Sequence, residues 1–91
     1  MICLIKPQFE AGKENVEKGG VVRDSKVHQE VIINVIEYAK TLDYSIKGLT
    51  FSSIKGPAGN IEYLVWLTTE AIENTYDVSE IVKVAFETLN N

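Results

Sequence analysis

Residues 61–68 read Ile-Glu-Tyr-Leu-Val-Trp-Leu-Thr. In a strand, successive side chains point to opposite faces. One face would carry Ile61, Tyr63, Val65 and Leu67, and the other Glu62, Leu64, Trp66 and Thr68. Both are largely apolar, so the segment is expected at the centre of a sheet covered on both sides. The N-terminal run Ile2-Cys3-Leu4-Ile5-Lys6 also lacks alternation, and the same expectation applies. Pro7 has no N–H to give a ladder and ends that strand. Two two-sided strands in a chain of 91 residues leave little polypeptide to cover them.

The remaining elements follow from punctuation and period. Residues 8–23 hold Gly12, Gly19, Gly20 and alternating charges, the composition of a loop. It is longer than most connections, and such loops are usually functional or mobile. Asp24 and Ser25 are both able to cap a helix. Behind them Val27, Val31, Val35, Ala39 and Leu42 form an apolar stripe widened by Ile32 and Ile36, which predicts an amphipathic helix. Asp43 tolerates the left-handed conformation at its end. Residues 44–53 predict a second strand, with a bulge or close approach at Gly48. Residues 54–60, Ile-Lys-Gly-Pro-Ala-Gly-Asn, predict a turn, making the second and third strands an antiparallel hairpin. Asp77-Val-Ser-Glu80 has capping-box spacing ahead of a stripe of Val78, Ile81, Val82, Ala85, Phe86 and Leu89. The expected order is β-α-β-β-α, one α/β domain over residues 1–91 with a mixed three-stranded sheet. The third strand would lie between the other two, and strand one would present an open apolar edge. Such edges are normally paired or covered, so a larger sheet or a homodimer through residues 2–5 is expected.

Composition narrows the class. A net charge of −4 argues against nucleic-acid binding by bulk charge. The first 28 residues nevertheless hold five basic groups against four acids, and the rest four against nine. The lone cysteine, Cys3, excludes an intrachain disulfide and suits a reducing, cytoplasmic setting. No apolar run approaches membrane length. The chain contains no P-loop, dinucleotide fingerprint, metal-ligand spacing or nucleophile elbow.

Two residues stand out as candidates for chemistry. Ligands of open α/β sheets bind beyond the carboxyl ends of strands, where Lys6 sits. Glu62 opens an otherwise apolar strand, at the sheet end where strand one finishes. The two could meet at one rim. The plainer alternatives are a snorkelling lysine and a solvated or ion-paired carboxylate. His28 reads as a surface residue of the helix, and Phe51, Tyr63 and Trp66 as core. Lys55–Asn60 reads as a hairpin turn, because phosphate-cradling glycines precede a helix and here a strand follows.

The succession LIKPQFEAGKENVEKGGVVRDSKVH, a helix, then GLTFSSIKGPAGNIEYLVWL resembles the hemolysin A (TlyA) family, which groups with FtsJ-like ribosomal RNA 2′-O-methyltransferases. The resemblance runs through Leu67 and spans only the last third or so of the family's pattern. It implies the C-terminal half of a class I, Rossmann-like methyltransferase, with the three strands as the fifth, sixth and seventh of seven. It also implies a Lys-Asp-Lys-Glu tetrad in which Lys6 is the second lysine and Glu62 the glutamate. The other lysine, the aspartate, the S-adenosylmethionine loop and an S4-like RNA-binding domain belong to segments absent here. Ser25 and Ser53 stand where the family often has proline, Ala58 where it often has glutamate, and Asp43 where it often has glycine. A lysine acts as base toward a ribose hydroxyl only with a pKa well below roughly 10.4; a neighbouring glutamate opposes that, so Glu62 would orient rather than activate. Lys13, Arg23 and Lys55 are the implied contacts to ribosomal RNA phosphates.

The expectation is therefore a C-terminal fragment of an S-adenosylmethionine-dependent enzyme that neither binds the cofactor nor methylates RNA alone. The alternative is a stand-alone, dimerising module that binds RNA or protein without catalysis. A pore-forming role, as the family's hemolysin name suggests, lacks a membrane-length or strongly amphipathic cationic segment.

Overall fold

The computed structural model describes residues 1–12, 14, 16 and 19–89. Along it run β1 (Ile2–Ile5), α1 (Pro7–Glu10), α2 (Ser25–Thr41), β2 (Ser45–Phe51), a 3-10 turn at Pro57–Gly59, β3 (Tyr63–Thr68) and α3 (Val78–Leu89). Pro7 both ends β1 and opens α1. At the first helical position its missing N–H costs nothing, and the turn closes through Phe9 N–H to Lys6 O and Ala11 N–H to Pro7 O. The segment after Pro7 is thus not all loop, as its composition predicts. Val21 and Val22, near its end, are also buried.

β3 lies between β1 and β2, as the hairpin and crossover require. Both ladders are antiparallel, which corrects the expectation of a mixed sheet. β1 and β2 run in the same direction but never pair. A register shift between Ile46 and Gly48 is the irregularity expected at Gly48.

Both long helices pack on one face of the sheet. Ile5, Tyr63, Val65 and Leu67 join Val31, Ile32, Ile36, Val82 and Ala85 in one core. The other face, carrying Ile2, Leu4 and Trp66, is open, with Ile2 64%, Leu4 47% and Trp66 47% exposed. β1 and β3 are therefore covered on one side only, and Trp66 is not core. Their two-sided apolar sequence exceeds what the chain's own elements can bury.

The helix ends follow their sequence signals. Asp24 rather than Ser25 caps α2, accepting from the Lys26 N–H at 2.9 Å. Asp43 beyond its C-terminus has a φ of 65°. Asp77 accepts from the Glu80 N–H at 3.1 Å ahead of α3. Leu42 ends the predicted stripe but is exposed, because it lies past the last turn of α2.

Candidate functional site: the rim at the end of β1

The β1–β3 register pairs Ile5 with Tyr63. One step further along the same antiparallel ladder sets Lys6 against Glu62. Lys6 is still extended, with φ −117° and ψ 97°. The β2 side continues likewise, with Ser52 N–H donating to Glu62 O at 2.8 Å. Both candidate residues therefore stand at one rim of the sheet.

Their side chains differ in environment. Glu62 is buried, at 7% exposure. Gln8 of α1 donates to its Oε2 through Nε2 at 3.2 Å. Gly56 makes room for it: a Cβ on Gly56 would overlap the Glu62 carboxylate. Among the described residues Gln8 is its one hydrogen-bond donor, so a carboxylate with about four acceptor sites has capacity left. Gln8 Oε1 is also buried and has no hydrogen-bond partner among the described residues. The corner therefore holds an excess of acceptors and suits a donor-rich group such as an ammonium or a hydroxyl. Lys6 does not fill that role here. Its Nζ lies 5.7 Å from the centroid of the Phe9 ring and makes no ion pair with Glu62.

Around the rim, Lys55 is exposed next to Gly56, and Arg23 is exposed next to Val22. The Val22 N–H donates to Asn60 Oδ1 at 3.0 Å, and Asn60 Nδ2 donates to Gly20 O at 2.7 Å. Arg23 and Lys55 thus flank the chain just ahead of Glu62. Lys13, the third expected RNA contact, lies outside the described residues.

His28 is fully buried, against the expectation of a surface helix residue. Its Nε2 lies 2.8 Å from Val22 O, and its Nδ1 2.8 Å from the Tyr63 hydroxyl. A carbonyl only accepts, so Nε2 carries the proton and the Tyr63 hydroxyl donates to Nδ1. Burial holds the imidazole below its ordinary pKa of 6.5; the Val22 bond and Asp24 act the other way. Burial also raises the Tyr63 phenol. Sequence reasoning missed His28 and Asn60. A signal for His28 existed, since it stands four residues before Ile32 and eight before Ile36, on the face those two bury. Asn60, between a glycine turn and an apolar strand, carries no comparable periodic signal.

Among the described residues, no cluster of three or more His, Cys, Asp or Glu could hold a metal ion. The first amides of both long helices are already paired among the described residues. At the start of α2, Asp24 takes the amides of Lys26, Val27 and His28. At the start of α3, Asp77 takes those of Glu80 and Ile81. The glycines around Pro57 lead into a strand. A groove bordered by Lys40, Asp43, Tyr44, Asn74 and Tyr76 lies at the opposite end of the sheet.

This fold is shared with the FtsJ-like methyltransferases. The family's model matches residues 1–69, and the chain belongs to that family. It is 52% identical over 66 residues to YqxC of Bacillus subtilis, provisionally called an rRNA methyltransferase; the match takes in 72% of this chain and 24% of that protein. It is 40% identical over 70 residues to the 16S/23S rRNA (cytidine-2′-O)-methyltransferase TlyA of Mycobacterium tuberculosis, taking in 77% of this chain and 26% of TlyA. A solved structure from Lactococcus lactis, provisionally called a hemolysin, superposes with a TM-score of 0.84 at 46% identity, over 91% of this chain and 41% of that one. The chain spans about a quarter of the length of the curated relatives it matches.

Proposed function

We propose that this chain is the C-terminal segment of an S-adenosylmethionine-dependent methyltransferase acting on a ribose 2′-hydroxyl of ribosomal RNA, and that it contributes Lys6 and Glu62 to the reaction. The observation that carries the reading is the β1–β3 register, which pairs Ile5 with Tyr63 and one step further would set Lys6 against the buried Glu62. The sheet belongs to the C-terminal half of a class I, Rossmann-like fold, with residues 1–91 forming one unit of it. Glu62, held by Gln8 and seated over Gly56, accepts from the ribose or from a lysine and so orients the reacting hydroxyl. Lys6 supplies a positive charge, or in its neutral form a proton acceptor, at the same hydroxyl. The methyl donor is held by the rest of the full-length protein. Arg23, Lys55 and Lys13 contact RNA phosphates, and the setting is cytoplasmic. No helix among the described residues is long and apolar enough to cross a membrane.

In the full-length protein, Lys6→Ala and Glu62→Gln should each lower methyl transfer to ribosomal RNA by about a hundredfold or more, the usual scale for acid–base groups, at unchanged RNA affinity. Rates within a few-fold of the parent would remove both residues from the chemistry. The 91-residue chain alone should give no calorimetric signal with S-adenosylmethionine. Measurable binding would overturn the fragment reading.

The open sheet face and β1 edge favour a second reading for the isolated chain, a homodimer that covers them. It is compatible with the first, because a surface built to be buried associates when its usual cover is missing.

A further inference from the structure

We infer that His28 and Asn60 are positioning residues that lock the backbone of Val22 and so present Arg23 as a preformed phosphate contact beside Glu62. This rests on the reading that Arg23 binds RNA. Val22 is tied at both of its backbone groups by side chains from two different elements. Its N–H donates to Asn60 Oδ1 at 3.0 Å, and its C=O accepts from His28 Nε2 at 2.8 Å. Each lock is anchored in turn. Asn60 Nδ2 reaches back to Gly20 O, and His28 Nδ1 accepts from the Tyr63 hydroxyl. Tyr63 is the residue after Glu62 and the ladder partner of Ile5. Val22, His28 and Tyr63 are each 0% exposed and Asn60 is 1%, so water does not compete for these bonds.

The chemistry of the lock is specific. Val22 is apolar and buried, and its own side chain would hold it in the core without help. Its buried N–H and C=O must both be paired, and here two buried polar side chains, rather than a ladder or water, pair them. They fix the exit of a long charged segment at the residue before Arg23. The Asp24 carboxylate fixes the residue after it through the α2 cap. Arg23 is thus an exposed cation held between two clamped neighbours, and the loop-ordering cost of binding is largely met before RNA arrives. The same bonds tie Arg23 to the rim, because Asn60 and Tyr63 bracket Glu62 in the sequence.

The test is a double-mutant cycle in the full-length protein with a short mixed-sequence RNA hairpin, reading affinity across a salt series below the thermal transition of every variant. Arg23→Ala should lower affinity and reduce the slope of log K against log salt by about 1, the loss of one phosphate contact. Asn60→Ala should reduce the slope by the same amount, and Arg23→Ala should add nothing further in that background. A residue that merely stabilises the fold would lower the melting temperature and leave slope and additivity untouched. Tyr63→Phe, which frees His28 while keeping the core filled, serves as the second variant should Asn60→Ala fail to fold, with the same loss of slope expected. In the parent chain the Val22 amide should exchange with solvent as slowly as the amides of β3. If Arg23→Ala leaves affinity and slope unchanged, Arg23 is no RNA contact and the inference falls with it. If Arg23→Ala acts but folded Asn60→Ala or Tyr63→Phe does not, or if Val22 exchanges like an exposed loop amide, the RNA contact stands and the lock is refuted.

Discussion

Glu62 owes its position to a residue with no side chain. The space its carboxylate occupies is the space a Cβ on Gly56 would take. Gly56→Ala should therefore expel the carboxylate from Gln8 and destabilise the chain by about 1–3 kcal/mol, as overpacking does; a lower urea midpoint at constant m-value checks it. Two residues further on, Ala58 has a φ of 61°, where a Cβ costs roughly 1–2 kcal/mol. Ala58→Gly removes that strain but adds freedom to the unfolded chain, worth roughly 0.5–1 kcal/mol. The net gain should be about 0.5–1 kcal/mol, or a few degrees in melting temperature for a domain of this size. Lys6 and Glu62 were legible as residues because each interrupts an apolar strand with charge at a strand end. Gln8 and Asn60 were not, since their roles depend on contacts between segments about 40 to 55 residues apart; Gly56 was not, since its role depends on how the turn folds back over Glu62.

The long helices were readable because period and caps agree. Ser25–Thr41 and Val78–Leu89 start just after an aspartate; α3 runs to the end of its apolar stripe, and α2 stops one residue short of Leu42. Only the face of α2 was misjudged, through taking an imidazole on the buried stripe as polar and outward. That choice has a pH consequence. Folded His28 is held below 6.5, so the unfolded chain binds the extra proton first as pH falls. Stability should be full above about pH 6.5 and decline as pH drops from there toward the folded pKa. His28→Gln should flatten this slope in urea titrations across that window. Asp77 shifts the other way, its carboxylate favoured chiefly by the Ser79 hydroxyl and then by the Glu80 amide. Its contribution is present above the ordinary 3.8 and is lost as pH falls below that through the lower folded value. Acidification through that range should lower the exchange protection of the first α3 amides.

At the scale of the molecule, the sheet has one face too many. Two-sided apolar strands implied cover on both sides, and the chain supplies helices for one. Nothing in the local sequence says which face goes bare, since the handedness of the β1–α2–β2 crossover decides that. Ile2, Leu4 and Trp66 share the open face, Ile2 and Trp66 being ladder partners, and among the described residues no strand pairs with the outer edge of β1. For the isolated chain this surface should drive self-association. Sedimentation equilibrium should show a mass rising toward a dimer with concentration, and Trp66 emission should shift to the blue over the same range. Leu4→Lys sets a charge in the middle of the contact and should weaken association at least tenfold, about 1.4 kcal/mol, while leaving far-UV circular dichroism unchanged because Leu4 is outside the core. A chain that stays monomeric at every accessible concentration, with Trp66 emission unmoved, would mean that the open face is tolerated in water and that the dimer reading is wrong.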